Sequence, residues 1–289
     1  MKYRICIILL ICALLFGTLA ACGGGEPEGY IPRPVIVGEV VATYEFGIAF
    51  HRGNALLRDQ IWAALQVLAA DGTIGRIAHT WFGYDPTFIP PDFEATAALD
   101  EVRERTLIVG FDPTSAPKSF WNEDGDLVGF DIDLAHAVAD YYGWDLALLP
   151  IEWADRKFEL ASGNIDALWG GVTLTESIQE RLYHIGPYME NRQVVVTMSN
   201  AGIRNLRGLR GRTLALQGDG AGTLALEEND RLRERLGEID WRECLFSALH
   251  ALEAGYIDAV LMCEKAALYY LRTGDREAFG GRVDLFGQQ

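Results

Sequence analysis

Three glycines, Gly218, Gly220 and Gly222, follow the apolar stretch 213–217 and precede a helical pattern. They leave backbone N–H groups open at a helix start, which suits an anion and equally suits a plain tight turn. Their spacing is not the G-x-G-x-x-G of a dinucleotide site, and no Gly-Lys-Ser/Thr phosphate loop, H-E-x-x-H or C-x-x-C occurs. Asn122, Asp124 and Asp126 alternate like calcium ligands, but the glycine falls at Gly125 and the closing glutamate is missing, so they read as a solvated hairpin turn. His51, His79, His136, His184 and His250 have no metal-ligand spacing and read as surface or structural histidines. The residues therefore point to no metal, no cofactor and no catalytic set.

The elements that must position these residues alternate strand and helix. L-I-V-G-F at 107–111 is a buried strand by pattern, and 120–130 reads as a hairpin turning at Asp124-Gly125. Asp131 or Asp133 then caps a helix whose buried face is Leu134, Ala135, Val138, Ala139 and Tyr142, and Gly143 ends it. Strands follow at 146–151, at 165–169 (closed by Gly170-Gly171), at 193–198, at 213–217 and at 258–262, with helices at 155–162, from about 223, and at 247–254. This order predicts an α/β protein with mainly parallel sheets. The chain has 289 residues, enough for two lobes, and 41 acidic against 25 basic side chains give a net charge of −16. Such a chain lacks the basic face that nucleic acid requires.

The first segment reads as an address. Lys2 and Arg4 precede the apolar run 5–19, which ends in Leu19-Ala20-Ala21-Cys22 and three glycines. It resembles the lipobox of bacterial lipoproteins, which implies a signal peptide over 1–21, lipidation of Cys22 and a flexible tether. An uncleaved anchor and a plain secretory signal are the alternatives. The expected location is the outer face of the cell membrane or the periplasm. Cys244 and Cys263 remain in the body, and their separation does not say whether they pair.

The stretch L-I-V-G-F-D-P-T-S-A-P-K-S-F-W-N-E-D-G-D-L-V-G-F-D-I-D-L-A at 107–135 resembles the opening of the family 3 solute-binding proteins of ABC importers. P-I-E-W-A-D-R-K-F-E-L-A-S-G-N-I-D-A-L-W-G-G-V-T-L-T at 150–175, G-P-Y-M-E-N-R-Q-V-V-V at 186–196, L-R-G-L-R-G-R-T-L-A-L-Q at 206–217 and A-L-E-A-G-Y-I-D-A-V at 251–260 extend the likeness in the family's order. The resemblance implies a two-lobe type II periplasmic-binding-protein fold with a hinged cleft. It also implies a small-molecule ligand, a membrane permease as partner, and a monomer.

A second likeness lies out of order. Residues 44–83 resemble the segment that closes the family's chain, yet here they follow the leader. A circular permutation accounts for this, with strand exchange between two molecules as its rival. The expected organisation is a tether with a possible lobe-two strand at 22–43, lobe one at 44–196 and lobe two at 197–289. Lobe one is then built from the displaced segment 44–83, a proline-rich connector 84–105 and 106–196. Residues 35–41 and 283–286 both resemble the strand at the cut.

The anchors that the resemblance implies for an amino acid are changed. The carboxylate-binding arginine after T-x-T (Thr173-Leu174-Thr175) falls on Ile178, and Arg181 lies three residues on. The ammonium-binding aspartate falls on Cys263, with Glu264 next, and the usual hydroxyl pair becomes Gly220 and Ala221. The implied cleft residues are Asp112, Lys118, Phe120, Trp153, Trp169, Gly171, Thr173, Ile178, Gly220, Ala221, Gly222 and Cys263. Trp169 either stacks on a ligand or fills the core. Asp112 either caps a turn or takes a cationic group. Lys118 is either solvated or stands in for the missing positive charge. Three readings follow: an importer's receptor for an amino acid or related polar solute, a degenerate sensor or scaffold without transport, and an enzyme using Glu264 or Lys118 as acid or base.

Overall fold

The computed structural model describes residues 31–95 and 103–280. The chain divides after Arg33, and the following description concerns the unit that begins at Pro34. The leader, Cys22, the strand at 283–286 and part of the 84–105 connector lie outside the described residues.

Two long strands organise the molecule, β1 (Pro34–Phe50) and β8 (Tyr183–Met198). Both are rich in Val, Ile, Thr and aromatic residues, which suit a half-buried pleated surface. They lie antiparallel from Pro34↔Met198 to Phe50↔Tyr183, with register shifts between Ile36 and Val40, Val40 and Ala42, and Phe46 and Ile48. Between them in sequence come α1 (Ala55–Ala70), α2 (Thr73–Phe82), β2 (Thr106–Phe111), β3 (Thr114–Ser115), β4 (Ser119–Trp121), β5 (Leu127–Val128), α3 (Phe130–Tyr142), β6 (Asp145–Pro150), α4 (Arg156–Ser162), β7 (Ala167–Thr173) and α5 (Glu176–Arg181). After β8 come β9 (Thr213–Gln217), α6 (Ala221–Glu227), α7 (Asp230–Arg233), β10 (Glu238–Arg242), α8 (Leu245–Glu253), β11 (Ala259–Cys263) and α9 (Glu264–Thr273).

The main sheet has eight strands in the order β10-β9-β11-β8-β1-β7-β2-β6. β2 is parallel to β6 and β7, and β9 is parallel to β10 and β11, so each end of the sheet is a parallel α/β layer. Such layers need cover on both faces. At one end, Leu57, Ile61, Ile74, Leu134 and Val138 cover one face, and Ile151, Leu160, Leu174 and Ile178 cover the other. At the other end, Leu226 and Leu232 lie on one face, with Leu249, Ala267 and Tyr270 opposite. Two α/β lobes joined by crossing strands make the type II binding-protein arrangement. Val37 and Val195 pack in one core of the second lobe, and Val194 and Val196 in the other. Phe46, Ile48 and Phe50, at the far end of β1, pack in the first lobe.

Several local expectations shift. Gly129, at φ 141°, is the N-cap of α3, so Asp131 and Asp133 fall inside its first turn and Asp131 is buried. No side chain is tolerated at Gly129: a Cβ there would lie 2.2 Å from the Lys118 carbonyl oxygen. β7 does not stop at Trp169 but continues through Gly170 and Gly171, both at positive φ, because strand pairing with β1 extends to Thr173. Gly143 ends α3 in the left-handed conformation, as its position predicts.

Candidate functional site

A cleft of about 510 Å³ opens where β1 and β8 pass between the lobes. Its first-lobe side carries Asp112, Lys118, Trp153, Gly171, Thr173 and Ile178, and its second-lobe side carries Gly220, Ala221, Gly222 and Cys263. These ten expected residues therefore meet around one space. They are brought there by the C-terminal ends of β2 and β7, the N-terminus of α6 and the junction of β11 with α9, the usual ligand position of open α/β sheets.

Two expected residues lie elsewhere. Trp169 is 1% exposed and packs in the first lobe's core among Val109, Leu134 and Tyr188, because at that point β7 turns the ring away from the cleft. Phe120 is buried at a seam between the lobes, edge-on to Trp81 at 5.8 Å and to Tyr269 at 5.5 Å. Arg181 is exposed at the end of α5 and does not line the cleft; its carbonyl accepts a 2.9 Å hydrogen bond from Arg52 Nε. Glu264 pairs with Arg192 at 3.4 Å. Cys244 and Cys263 are both free thiols.

Other lining residues escaped sequence reading. Phe46 enters from β1 and Asn191 and Gln193 enter from β8. Asn191 Nδ2 donates to Thr173 Oγ1 at 3.0 Å, and Gln193 Nε2 donates to Asn191 Oδ1 at 2.6 Å, forming a polar chain along the crossing strand. Gln217 and Asp219 flank the glycine turn, and Arg156 opens α4. The Arg156 guanidinium lies over the Trp153 ring at 4.9 Å and donates to the Trp153 carbonyl. The signal for Arg156 was present in the quoted block 150–175. Phe46 had none, since its partners come from distant parts of the chain.

The charges are unevenly satisfied. Asp112 Oδ1 accepts from Thr114 N at 2.9 Å and from Thr114 Oγ1 at 2.7 Å, so this side chain braces its own turn. Burial pushes the Asp112 carboxyl above the usual range, opposed by the Thr114 bonds and by Lys118 and Arg156. Burial lowers the Arg156 guanidinium, opposed by Asp219 and Asp112. Lys118 is not solvated: it is 3% exposed, with Nζ 4.5 Å from the centre of the Phe46 ring. Beneath the cleft, Asp131 Oδ1 accepts from the Tyr188 hydroxyl at 2.8 Å, and the Trp169 indole N–H and the Gly171 backbone N–H face the same carboxyl. Burial raises the Asp131 carboxyl to about 6, and nearby Lys118 opposes that shift. Among the described residues, no group of His, Cys, Asp and Glu could hold a metal ion. Nor is any helix among them long and apolar enough to cross a membrane.

Comparison with known proteins agrees with this architecture. The model of the bacterial extracellular solute-binding proteins, family 3, matches residues 107–278. The L-cystine-binding protein of Escherichia coli (strain K12) is 31% identical over 197 residues, covering 66% of this chain and 72% of that protein. The arginine-binding extracellular protein of Bacillus subtilis (strain 168) is 25% identical over 178 residues, covering 61% of this chain and 68% of that one. A histidine-bound substrate-binding protein of an ABC uptake transporter from Streptococcus pneumoniae superposes with a TM-score of 0.56 at 34% identity, covering 58% of this chain and 70% of that one.

Proposed function

Because the chain belongs to the bacterial extracellular solute-binding proteins of family 3 and resembles amino-acid-binding proteins, we propose that it captures an amino acid or related small polar solute for an ABC importer. The observation that carries this is the cleft itself. Polar and aromatic side chains from both lobes converge on one space at the crossing strands. A ligand that touches both lobes stabilises the closed form by its differential affinity for that form. The closed form then docks on a membrane permease.

Cys22 carries a lipid after removal of 1–21 and holds the receptor at the outer face of the membrane. The tether raises its effective concentration near the permease. The protein acts as a monomer. The chain is circularly permuted, with 44–83 as the displaced closing segment. In support, the family match begins only at residue 107, and β1, first in sequence, lies centrally between β8 and β7. Lobe one is formed mainly from 44–196 and lobe two mainly from 197–289, with the start of β1 as an added lobe-two strand and Val194 to Val196 of β8 packing in lobe two.

Ile178 and Cys263, in the places of the two amino-acid anchors, favour a second reading. In it the receptor has lost amino-acid capture and serves as a sensor or scaffold. A thermal-shift screen of the purified chain against amino acids, polyamines, small carboxylates and sugars separates the two. Ligand binding to the native state must raise its melting temperature. A rise with one chemical class supports the receptor. A cooperative melt unmoved by the whole panel supports the sensor.

A further inference from the structure

Lys118 is a buried cation without a fixed partner. Only 3% of the residue is exposed, and it lines the cleft. Among the described residues, its ammonium makes no hydrogen bond and no ion pair, and the residue borders the cleft. Its stem is held in place from two sides. The Phe46 ring presents its face 4.5 Å from Nζ. On the other side, Gly171 is bare where the chain passes: a Cβ there would lie 3.1 Å from Lys118 Cε and 3.8 Å from Nζ.

The nearby carboxylates are already engaged. Asp112 accepts from Thr114, and Asp131 accepts from the Tyr188 hydroxyl. Both contribute to the potential at Lys118 without bonding it. Burying an ammonium is costly unless charge and hydrogen bonds compensate, and here a cation–π contact supplies only part of that. The remaining donors of the ammonium are directed at the cleft.

Two other cations line the cleft, Arg156 and Lys157, while the place of the family's arginine holds Ile178. Ile178 is 8% exposed and packs with Ile151, Leu160 and Leu174. Arg156 is bonded to the Trp153 carbonyl and faces Asp219 and Asp112.

We propose that Lys118 is the anion-binding residue of this cleft, and that the ligand is an organic monocarboxylate whose charged end sits on the Lys118 ammonium beside Phe46. The inference rests on the solute-binding reading above. The cleft lining balances three cations, Lys118, Arg156 and Lys157, against three carboxylates, Asp112, Asp219 and Glu227, which suits a single negative charge and opposes a dianion such as phosphate. Cys263 presents a thiol where the resemblance implies a carboxylate, so an α-ammonium on the ligand is not required. The polar chain of Asn191 and Gln193 is left to hydrogen-bond the ligand's uncharged part.

The test measures melting temperature and calorimetric affinity of the purified full chain. Each L-amino acid is compared with its decarboxylated amine and with its 2-oxo and 2-hydroxy acids. Ligands that keep the carboxylate are expected to bind, with or without the amino group, and the decarboxylated amines are expected to fail. Lys118→Met should bind the best carboxylate roughly 10- to 100-fold more weakly, the scale of one charge-assisted hydrogen bond. Its own melting temperature should not fall. Binding of amines equal to that of carboxylates, or unchanged carboxylate affinity in Lys118→Met, overturns the assignment while leaving the receptor intact. If no compound of the series or of the wider screen binds, the solute-capture reading and this assignment fail together. The paired ligands decide the matter on the unaltered protein even if the variant does not fold.

Discussion

The ammonium of Lys118 stands 4.5 Å from the centre of the Phe46 ring, joining a strand from the front of the chain to the opening loop of the family-like region. Phe46 lies outside the segment that matches the family, whereas Lys118 lies inside it. The contact therefore ties β1 to the family-like part of the cleft. A buried cation–π pair contributes about 0.5–2 kcal/mol. A double-mutant cycle of Phe46→Leu and Lys118→Met, read by chemical denaturation, should return a coupling energy in that range. Strict additivity would show that the two side chains are merely adjacent.

Asp131 should give the protein a specific pH dependence. Burial raises its folded-state value to about 6, while an unfolded aspartate titrates near ~3.9. The folded state therefore holds the extra proton between those values, and stability falls as pH rises through that window, then levels off above it. The shift corresponds to roughly 2–3 kcal/mol. Asp131→Asn should flatten the stability profile between about pH 4 and 6. Asp112, shifted in the same direction, leaves a residual slope. An unaltered profile in the variant would place the titration elsewhere.

The glycines beside Lys118 should differ in tolerance. Gly171 sits at φ 89°, with Lys118 Cε and Ser115 Oγ at 3.1 and 3.2 Å from an added Cβ. Both neighbours are side-chain atoms that can shift, so Gly171→Ala should cost about 1–3 kcal/mol and weaken ligand binding by moving the lysine. Gly129→Ala meets backbone instead, at 2.2 Å from the Lys118 carbonyl oxygen, and should cost more than about 4 kcal/mol. Urea titration of the two variants should preserve that order.

Cys263 offers a direct report on the cleft. It lines the cavity as a free thiol, and Cys244 is the other free thiol of the described residues. In a background in which Cys6, Cys12, Cys22 and Cys244 are all replaced by serine, a small maleimide should label Cys263 in the empty protein, and a bound ligand should slow that labelling at least several-fold. Labelling indifferent to a ligand that raises the melting temperature would move the binding site out of the cleft.

Restoring the family's two anchors should change specificity. Ile178 and Cys263 both line the cleft, so Ile178→Arg with Cys263→Asp adds a guanidinium and a carboxylate there. Calorimetry should show new or stronger binding of zwitterionic amino acids, at some loss of stability because Ile178 leaves an apolar cluster. A folded double variant with no gain would sink that prediction.

Much of this protein is determined locally. The apolar run 107–111, the helical stripe ended by Gly143 and the 213–217 strand followed by glycines each form near their expected place, because residue periodicity and left-handed glycine positions act within a few residues. The ordered motifs from 107 onward were likewise enough to indicate the two-lobe class and ten of the cleft residues. The chemistry inside the cleft was decided by the tertiary structure. Trp169, open between a stacking ring and a core residue, is core, and Phe120, expected in the cleft, lies at a seam, because strand twist and packing fix which way a ring turns. Lys118 read as solvated or as a substitute charge. Only the approach of Phe46, with the bare backbone of Gly171 beside it, buries the ammonium and leaves it without a fixed partner. A side chain's burial depends on what distant segments place around it, and no local pattern contains that information.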